Sequence, residues 1–409
     1  MKKTMMRNYA RLIARKGGNV QKGQDVIIRA ALDQPEFIRM LVEECYAAGA
    51  RLVRVEWNDP AVDKVTKKRA SVKTLSQTME WEIAKYAHGV KTLPVMIWID
   101  SEDPDAMKGV NQEKMSRVGQ ARMKVYKPYR EQKENKYQWC IAAVPGAAWA
   151  QKVFPGEKKS RAIEKLWEAI LYTARADGED PIAAWDAHNA SLEARCERLN
   201  SLGIESLRIQ SANGTDITVG MIEDAVFMGG AERAQGSGIV FNPNIPSEEV
   251  FISPKKGVAE GWVYSSKPLS YRGELIENFR LRFEGGRAVE AYAEKGEALL
   301  REMIAMDEGA ACLGEVALVP HNSPISNSGI LFWNTLFDEN AACHLALGHG
   351  FTNVLKGYEN YTPEACYEKG INDSIIHVDF MIGTADLSVT ATTRNGETVE
   401  IFRDGNWAD

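Results

Sequence analysis

Two histidines and three carboxylates crowd one stretch in the last quarter of the chain. They are Glu315 in GEVALVP (314–320), Glu339 and His344 in DENAACHLALG (338–348), and His377 and Asp379 in IIHVDFMIG (375–383). Imidazole nitrogen and carboxylate oxygen are the donors that borderline divalent metals accept. His377 and Asp379 are separated by one residue in an alternating, strand-like pattern, so both side chains leave the same face. The segment ENAACHLALG reads as a helix that carries His344 and is ended by Gly348. On such a helix Glu339 and His344 stand roughly 140° apart, so they converge only if Glu339 lies at or before the first turn. A further acidic candidate is Glu249 in NIPSEEVF (244–251), where Glu248 and Glu249 face opposite ways once the strand begins. These are more donors than one zinc ion needs, which leaves room for two cations. The chemistry implied is metal-dependent hydrolysis.

Each residue also has a plainer reading. Glu315 sits between apolar neighbours, where an ionised carboxylate is costly unless it is paired or bound to a cation; the plain alternative is an ion-paired or edge-exposed glutamate. For the acidic turn at 248–249 it is simple exposure to solvent, and for His377 a buried hydrogen bond. Cys343 adjoins His344, but adjacent helical residues point about 100° apart, so buried packing suits it better. The chain has no H-E-x-x-H helix, G-x-S-x-G elbow, phosphate-binding loop or G-x-G-x-x-G fingerprint.

The elements that must position these residues divide the chain in two. In the first part QDVIIRA (24–30), RLVRVEW (51–57), PVMIWID (94–100) and WCIAAVP (139–145) read as strands, with helical patterns between them and at 160–176 and 180–202. FIRMLVEECYAAGA (37–50) is a helix closed near Gly49. Strands alternating with helices predict an α/β domain with a mostly parallel sheet, over 1–210. The turn-rich SANGTD (211–216) opens a second region, 211–409, dominated by strands. There ENFRLRFEGGRAVEAYA (277–293) is a hairpin about Gly285-Gly286, followed by a helix at 294–305. This α+β domain carries every candidate metal ligand.

Composition narrows the classes of function. With 44% hydrophobic and 26% charged residues, the 409-residue chain is ordinary for a globular protein. A net charge of −6 disfavours a general nucleic-acid binder. Residues 107–136 hold nine Lys or Arg against three Glu, a pattern expected of a solvated helix face. The six cysteines form no C-x-x-C pair, so neither a disulfide framework nor a zinc knuckle is indicated. The basic N-terminus lacks the apolar core of a secretory signal, and no run of eighteen apolar residues exists to span a bilayer. A cytoplasmic protein with no membrane partner is expected.

Four ordered motifs add a resemblance. NPNIPSEEVFISP (242–254), DEGAACLGEVALVP (307–320), NTLFDENAACHLALG (334–348) and NDSIIHVDFMIG (372–383) resemble the thermophilic aminopeptidase family, the aminopeptidase T, aminopeptidase S and PepS metallopeptidases. So do YARLIARKGGNVQKGQDV (9–26) and the terminal GNWAD, which extends the likeness over essentially the whole chain. The resemblance implies an exopeptidase acting on peptides with two divalent metal ions, zinc or cobalt first and manganese or magnesium next. It places ligands on Glu249, Glu315, His344, His377 and Asp379, with Glu339 at an acidic position of the second metal. It also implies a homodimer with enclosed active sites. Glu315 suits a bridging role because a carboxylate has two oxygens, while Glu339 or Glu249 is the candidate general base. Where the family often has a tyrosine seven residues after His344, this chain has Phe351, with His349 as the nearest replacement donor. Two other functions fit the same residues: another dinuclear amidase or deacylase, or a weakly active peptide-binding member.

Overall fold

In the computed structural model, residues 3–101 and 103–408 are described; Met1, Lys2, Glu102 and Asp409, the last residue of the GNWAD motif, lie outside them. The chain forms two compact units. One comprises Met1–Asn189 with Ala231–Ser247, the other Ala190–Gly230 with Glu248–Asp409.

The first unit is built on a parallel sheet. Its strands are β1 (Asp25–Ala31), β2 (Leu52–Asn58), β3 (Val95–Asp100) and β4 (Trp139–Ala143), ordered β4-β3-β1-β2, with the short strand Asn244–Ile245 added beside β4. Every pairing is parallel, so each connection must cross over, and helices supply the crossovers. Pro35–Ala48 links β1 to β2: a proline opens it and Gly49, at φ 110°, closes it as the sequence predicts. One face of the sheet presents Val26, Ile28, Ala30, Ile97, Ile99 and Ala142 to a dry core. Tyr9, Phe37 and Trp167 pack as an aromatic trio within the same unit, with centroids 5.6–6.5 Å apart.

The second unit is a sandwich of two sheets. The larger contains Ile204–Gln210 and Asp216–Met221, paired antiparallel across 211–216, so the turn-rich SANGTD segment is a hairpin turn inside this unit. It also contains the expected hairpin, Glu274–Glu284 with Arg287–Lys295, whose two turn glycines both have positive φ. The smaller sheet holds β5 (Met228–Gly229), β6 (Val250–Ile252), β7 (Leu313–Leu318), β8 (His344–Gly348) and β9 (His377–Met381), all antiparallel, in the order β9-β8-β7-β6-β5. Val250, Ile252, Val316, Leu318, Leu345, Leu347 and Phe380 share one core with Phe279 and Phe283 of the larger sheet.

The helix predicted over ENAACHLALG is not formed. A short helix, Thr335–Asp338, gives way to one 3-10 turn at Glu339–Ala341; Ala342 is then extended, and His344–Gly348 is a strand. All five strand residues are buried, and a run buried on both faces has no period by which to tell strand from helix. Gly348 does take a left-handed φ of 102°, but it ends a strand. A β-carbon there would meet the Ile376 carbonyl oxygen at 2.1 Å. Gly348→Ala should therefore lower the thermal midpoint, with a cost of roughly 1–3 kcal/mol from backbone strain alone. Gly119, inside the helix Gln112–Lys133 with nothing within 4 Å of an added methyl, should instead gain about 0.5–1 kcal/mol on change to Ala. Thermal denaturation of the two variants beside the parent checks both signs.

Candidate metal centre

Strand alternation builds this site. In β7, β8 and β9, Val316, Leu318, Leu345, Leu347 and Phe380 face the core, so Glu315, His344, Ala346, His377 and Asp379 leave by the other face. The register aligns Glu315 with Ala346 and Ala346 with Asp379, and Gly348 with His377. The middle strand thus offers only a methyl group and a glycine where the neighbouring strands carry Glu315, Asp379 and His377. That leaves the space between them open. Glu249 enters from the residue before β6.

Two groups of donors result, Glu249, Glu315 and His344, and Glu315, His377 and Asp379, each with its ligand atoms within 4.8 Å of one another. Glu315 belongs to both. His344 Nε2 lies 3.2 Å from Glu249 Oε2, and His377 Nε2 lies 3.2 Å from Glu315 Oε2 and 3.3 Å from Asp379 Oδ1. The other ring nitrogens face backbone carbonyls: His344 Nδ1 is 3.1 Å from the Ala342 oxygen and His377 Nδ1 is 2.7 Å from the His349 oxygen. A histidine that donates Nδ1–H to a carbonyl presents Nε2 to the site, the arrangement that orients metal-binding imidazoles.

The electrostatics favour a cation. Glu315 is 4% and His344 1% exposed. Burial, with the charges of Glu249 and Asp379, pushes Glu315 up to about 7 despite its contact with His377. Burial likewise raises Glu339 well above the usual carboxylate range, and Asp379 and Glu249 add to it. For His344, burial alone would favour the neutral ring, but Glu249 and the other carboxylates outweigh it and raise the ring to about 10. His377 is raised by Asp379 and Glu315 in the same way. As bare protein, the cluster holds protons where a divalent cation would satisfy the same atoms. Asp379 Oδ1 is buried and has only the His377 ring nitrogen at 3.3 Å beside it, a contact too poorly aligned to satisfy it, which leaves room for a cation. The residues present fit a metal.

The other sequence expectations are placed as follows. Glu339 sits in the 3-10 turn ahead of β8, as convergence required, but belongs to neither donor group; Asn340 Nδ2 donates to it at 3.4 Å. Glu248 and Glu249 are both buried and not a solvent-exposed turn, and only Glu249 reaches a donor group. Cys343 turns its thiol to the Val319 oxygen at 3.3 Å. Phe351 holds its ring 4.9 Å from that of His377, tilted by 50°. His349 Nδ1 lies 3.7 Å from Asp373 Oδ1, while its carbonyl holds His377. Sequence reasoning missed the supports. Asn340 is fully buried; its Oδ1 accepts from the Glu248 N–H at 2.7 Å and its Nδ2 donates to the Leu336 oxygen at 2.9 Å, which ties the acidic turn to the segment before β8. A polar residue inside the apolar-rich ENAAC was the available signal. The carbonyls of Ala342 and His349 leave no trace in sequence.

A buried cluster of carboxylates and backbone-oriented histidines on one face of an antiparallel sheet is a set that could hold divalent metal. The comparisons with known proteins name the family: the profile described as thermophilic metalloprotease (M29) matches residues 2–407. The chain is 41% identical over 404 residues to Aminopeptidase AmpS of Bacillus subtilis, covering 98% of each chain. It is 39% identical to Aminopeptidase 2 of Geobacillus stearothermophilus, covering 98% of this chain and 97% of the relative. The solved structure of wild-type AmpT from Thermus thermophilus superposes with a TM-score of 0.89 at 37% identity, covering all of both chains. The chain belongs to the thermophilic metalloprotease (M29) family, and is a peptide hydrolase. Among the described residues no helix is long and apolar enough to cross a membrane.

If these side chains hold metal, His377→Ala and Asp379→Ala should each lower bound metal, measured by plasma emission spectrometry, and cut turnover by at least about 100-fold. The circular dichroism of the first unit's helices should be retained. Full activity with full metal content in either variant would contradict the assignment.

Proposed function

We propose that the protein is a metal-dependent aminopeptidase with a dinuclear centre, one cation held by Glu249, Glu315 and His344 and the other by Glu315, His377 and Asp379. The observation that carries this reading is the membership of Glu315 in both donor groups, since a carboxylate can offer one oxygen to each ion. Bound divalent cations supply acidification of a water and polarisation of the scissile carbonyl. The donor set suits zinc or cobalt first, then manganese or magnesium. Glu339, outside both groups but within their field, is the carboxylate left to take a proton from the water and return it to the leaving amine. Ala346 and Gly348 keep the floor of the site clear for an extended peptide. The curated relatives are named as aminopeptidases, which favours a substrate with a free amino terminus and hence an exopeptidase.

The remaining parts of the reading follow the family: a cytoplasmic homodimer acting on small or extended peptides, with neither nucleic acid nor membrane as partner. The second unit, Ala190–Gly230 with Glu248–Asp409, carries the proposed catalytic residues.

Amino-acyl p-nitroanilides should be hydrolysed and their N-acetyl forms should not, with activity lost on chelation and restored by zinc or cobalt. Equal hydrolysis of the acetylated forms would identify an amidase or deacylase instead. Phe351, whose ring is packed against His377, cannot donate a hydrogen bond to a reacting oxyanion. Phe351→Tyr should raise turnover, by up to about 100-fold if the phenol supplies a full oxyanion donor, with metal content unchanged. An unchanged kcat would mean that the ring does not face the reacting carbonyl.

A further inference from the structure

The parallel sheet of the first unit departs from the rule that such sheets are apolar on both faces. Opposite its aliphatic face, alternate positions of β1 and β2 carry Asp25, Ile27 and Arg29, and Leu52, Arg54 and Glu56, while β3 carries Met96 and Trp98. The register brings them together, Ile27 beside Arg54 and Met96, and Arg29 beside Glu56 and Trp98. The helices Glu80–Thr92 and Gln112–Lys133 flank this face, and between them the three helices Pro60–Arg69, Val72–Ser76 and Glu80–Thr92 bury no residue fully while Gln112–Lys133 buries only Val118. A cavity of about 460 Å³ remains between helices and sheet. That is within the roughly 300–1,000 Å³ of small-molecule sites.

The lining is specific in two respects. Tyr86, Tyr126, Tyr129, Tyr137 and Trp98 supply rings, with Tyr86 5.0 Å from Tyr126 and 5.8 Å from Tyr129. Four cations also line it, and they are not equally committed. Arg29 and Lys85 both pair with Glu56, at 2.9 and 2.7 Å, and Asp25 pairs with Arg51 at 2.6 Å. Lys133 instead lies over the faces of Tyr126 and Tyr137, at 5.7 and 5.0 Å, and neither it nor Arg54 has a carboxylate partner among the described residues. The cavity thus carries two cations without a carboxylate partner: Lys133, half-buried against the tyrosine faces, and Arg54, exposed at its rim. The helices leave this face partly open, with Arg29, Arg54 and Lys85 exposed and the aromatic rings half-buried. Rings stack on rings, and a lysine or arginine in a half-dry cavity binds a carboxylate or phosphate more strongly than in water.

We propose that this cavity is a second ligand site, made wholly by the first unit, for a small molecule with a planar aromatic ring and an anionic carboxylate or phosphate. The ring enters among Tyr86, Tyr126 and Tyr129, and the anion meets Arg54 and Lys133. The site is independent of the hydrolytic residues, all of which lie in the second unit.

Isothermal titration of the full chain tests it with four probes. Indole-3-acetate and adenosine monophosphate carry ring and anion. Tryptamine carries the ring with a cation, and cyclohexanecarboxylate the anion without an aromatic ring. Saturable binding with a Kd of about 1 mM or tighter is expected for at least one of the first two, and weaker or no binding for the controls. Arg54→Met and Lys133→Met should each weaken it about tenfold and leave peptide hydrolysis unchanged, whereas Arg54→Lys and Lys133→Arg should retain it. Binding of indole-3-acetate alone assigns a carboxylate ligand, and of adenosine monophosphate alone a phosphate ligand. Failure of both to saturate, equal binding of tryptamine, or indifference to both Met variants would each overturn the proposal.

Discussion

Like charge gathered in a dry place is the constraint around which the second unit is organised. Glu249, Glu315, Glu339 and Asp379 share one electrostatic pool with two histidines, and Glu315 lies in the middle strand of a five-stranded sheet. Two like charges about 4 Å apart repel by roughly 4 kcal/mol at an effective dielectric constant near 20. No fold gathers such charges without something to offset them. Without a cation, burial and mutual repulsion push Glu315 and Glu339 toward their protonated forms, and the carboxylates push His344 the same way. Divalent cations would offset the charge with ligand bonds, and the two imidazoles are already turned for that by the carbonyls of Ala342 and His349.

Alternation along a strand does the sorting in both units. In the smaller sheet of the second unit it sends Val316, Leu345, Leu347 and Phe380 to the core and the ligating side chains to the other face. In the parallel sheet of the first unit it sends Val26, Ile28 and Ala30 inward and Arg29, Arg54 and Glu56 to the cavity. Each sheet therefore has one face that holds the fold together and one that gathers charged side chains.

How much of this could be read from the sequence depended on whether a pattern was local. The spacing of His377 and Asp379 was legible because two residues on one strand face need no tertiary information. The parallel first unit and the hairpin at Gly285-Gly286 were legible for the same kind of reason. His344 lies on a strand and not on the expected helix, since HLALG is buried on both faces and its neighbouring 3-10 turn imitates a helix start. The double membership of Glu315 was not derivable from spacing, because it depends on the register of three strands that meet only in the fold. The support from Asn340 was invisible for the same reason: it links positions 248 and 340.

The central claim is that one carboxylate, Glu315, joins two metal positions into one centre. Metal stoichiometry measured by calorimetric titration of chelated protein tests it most directly, in the parent chain and in Glu315→Gln, His344→Ala and His377→Ala. Two ions per chain are expected in the parent and one in each histidine variant. Glu315→Gln should weaken both positions together. A single ion in the parent, or two tightly held ions remaining in Glu315→Gln, would contradict it.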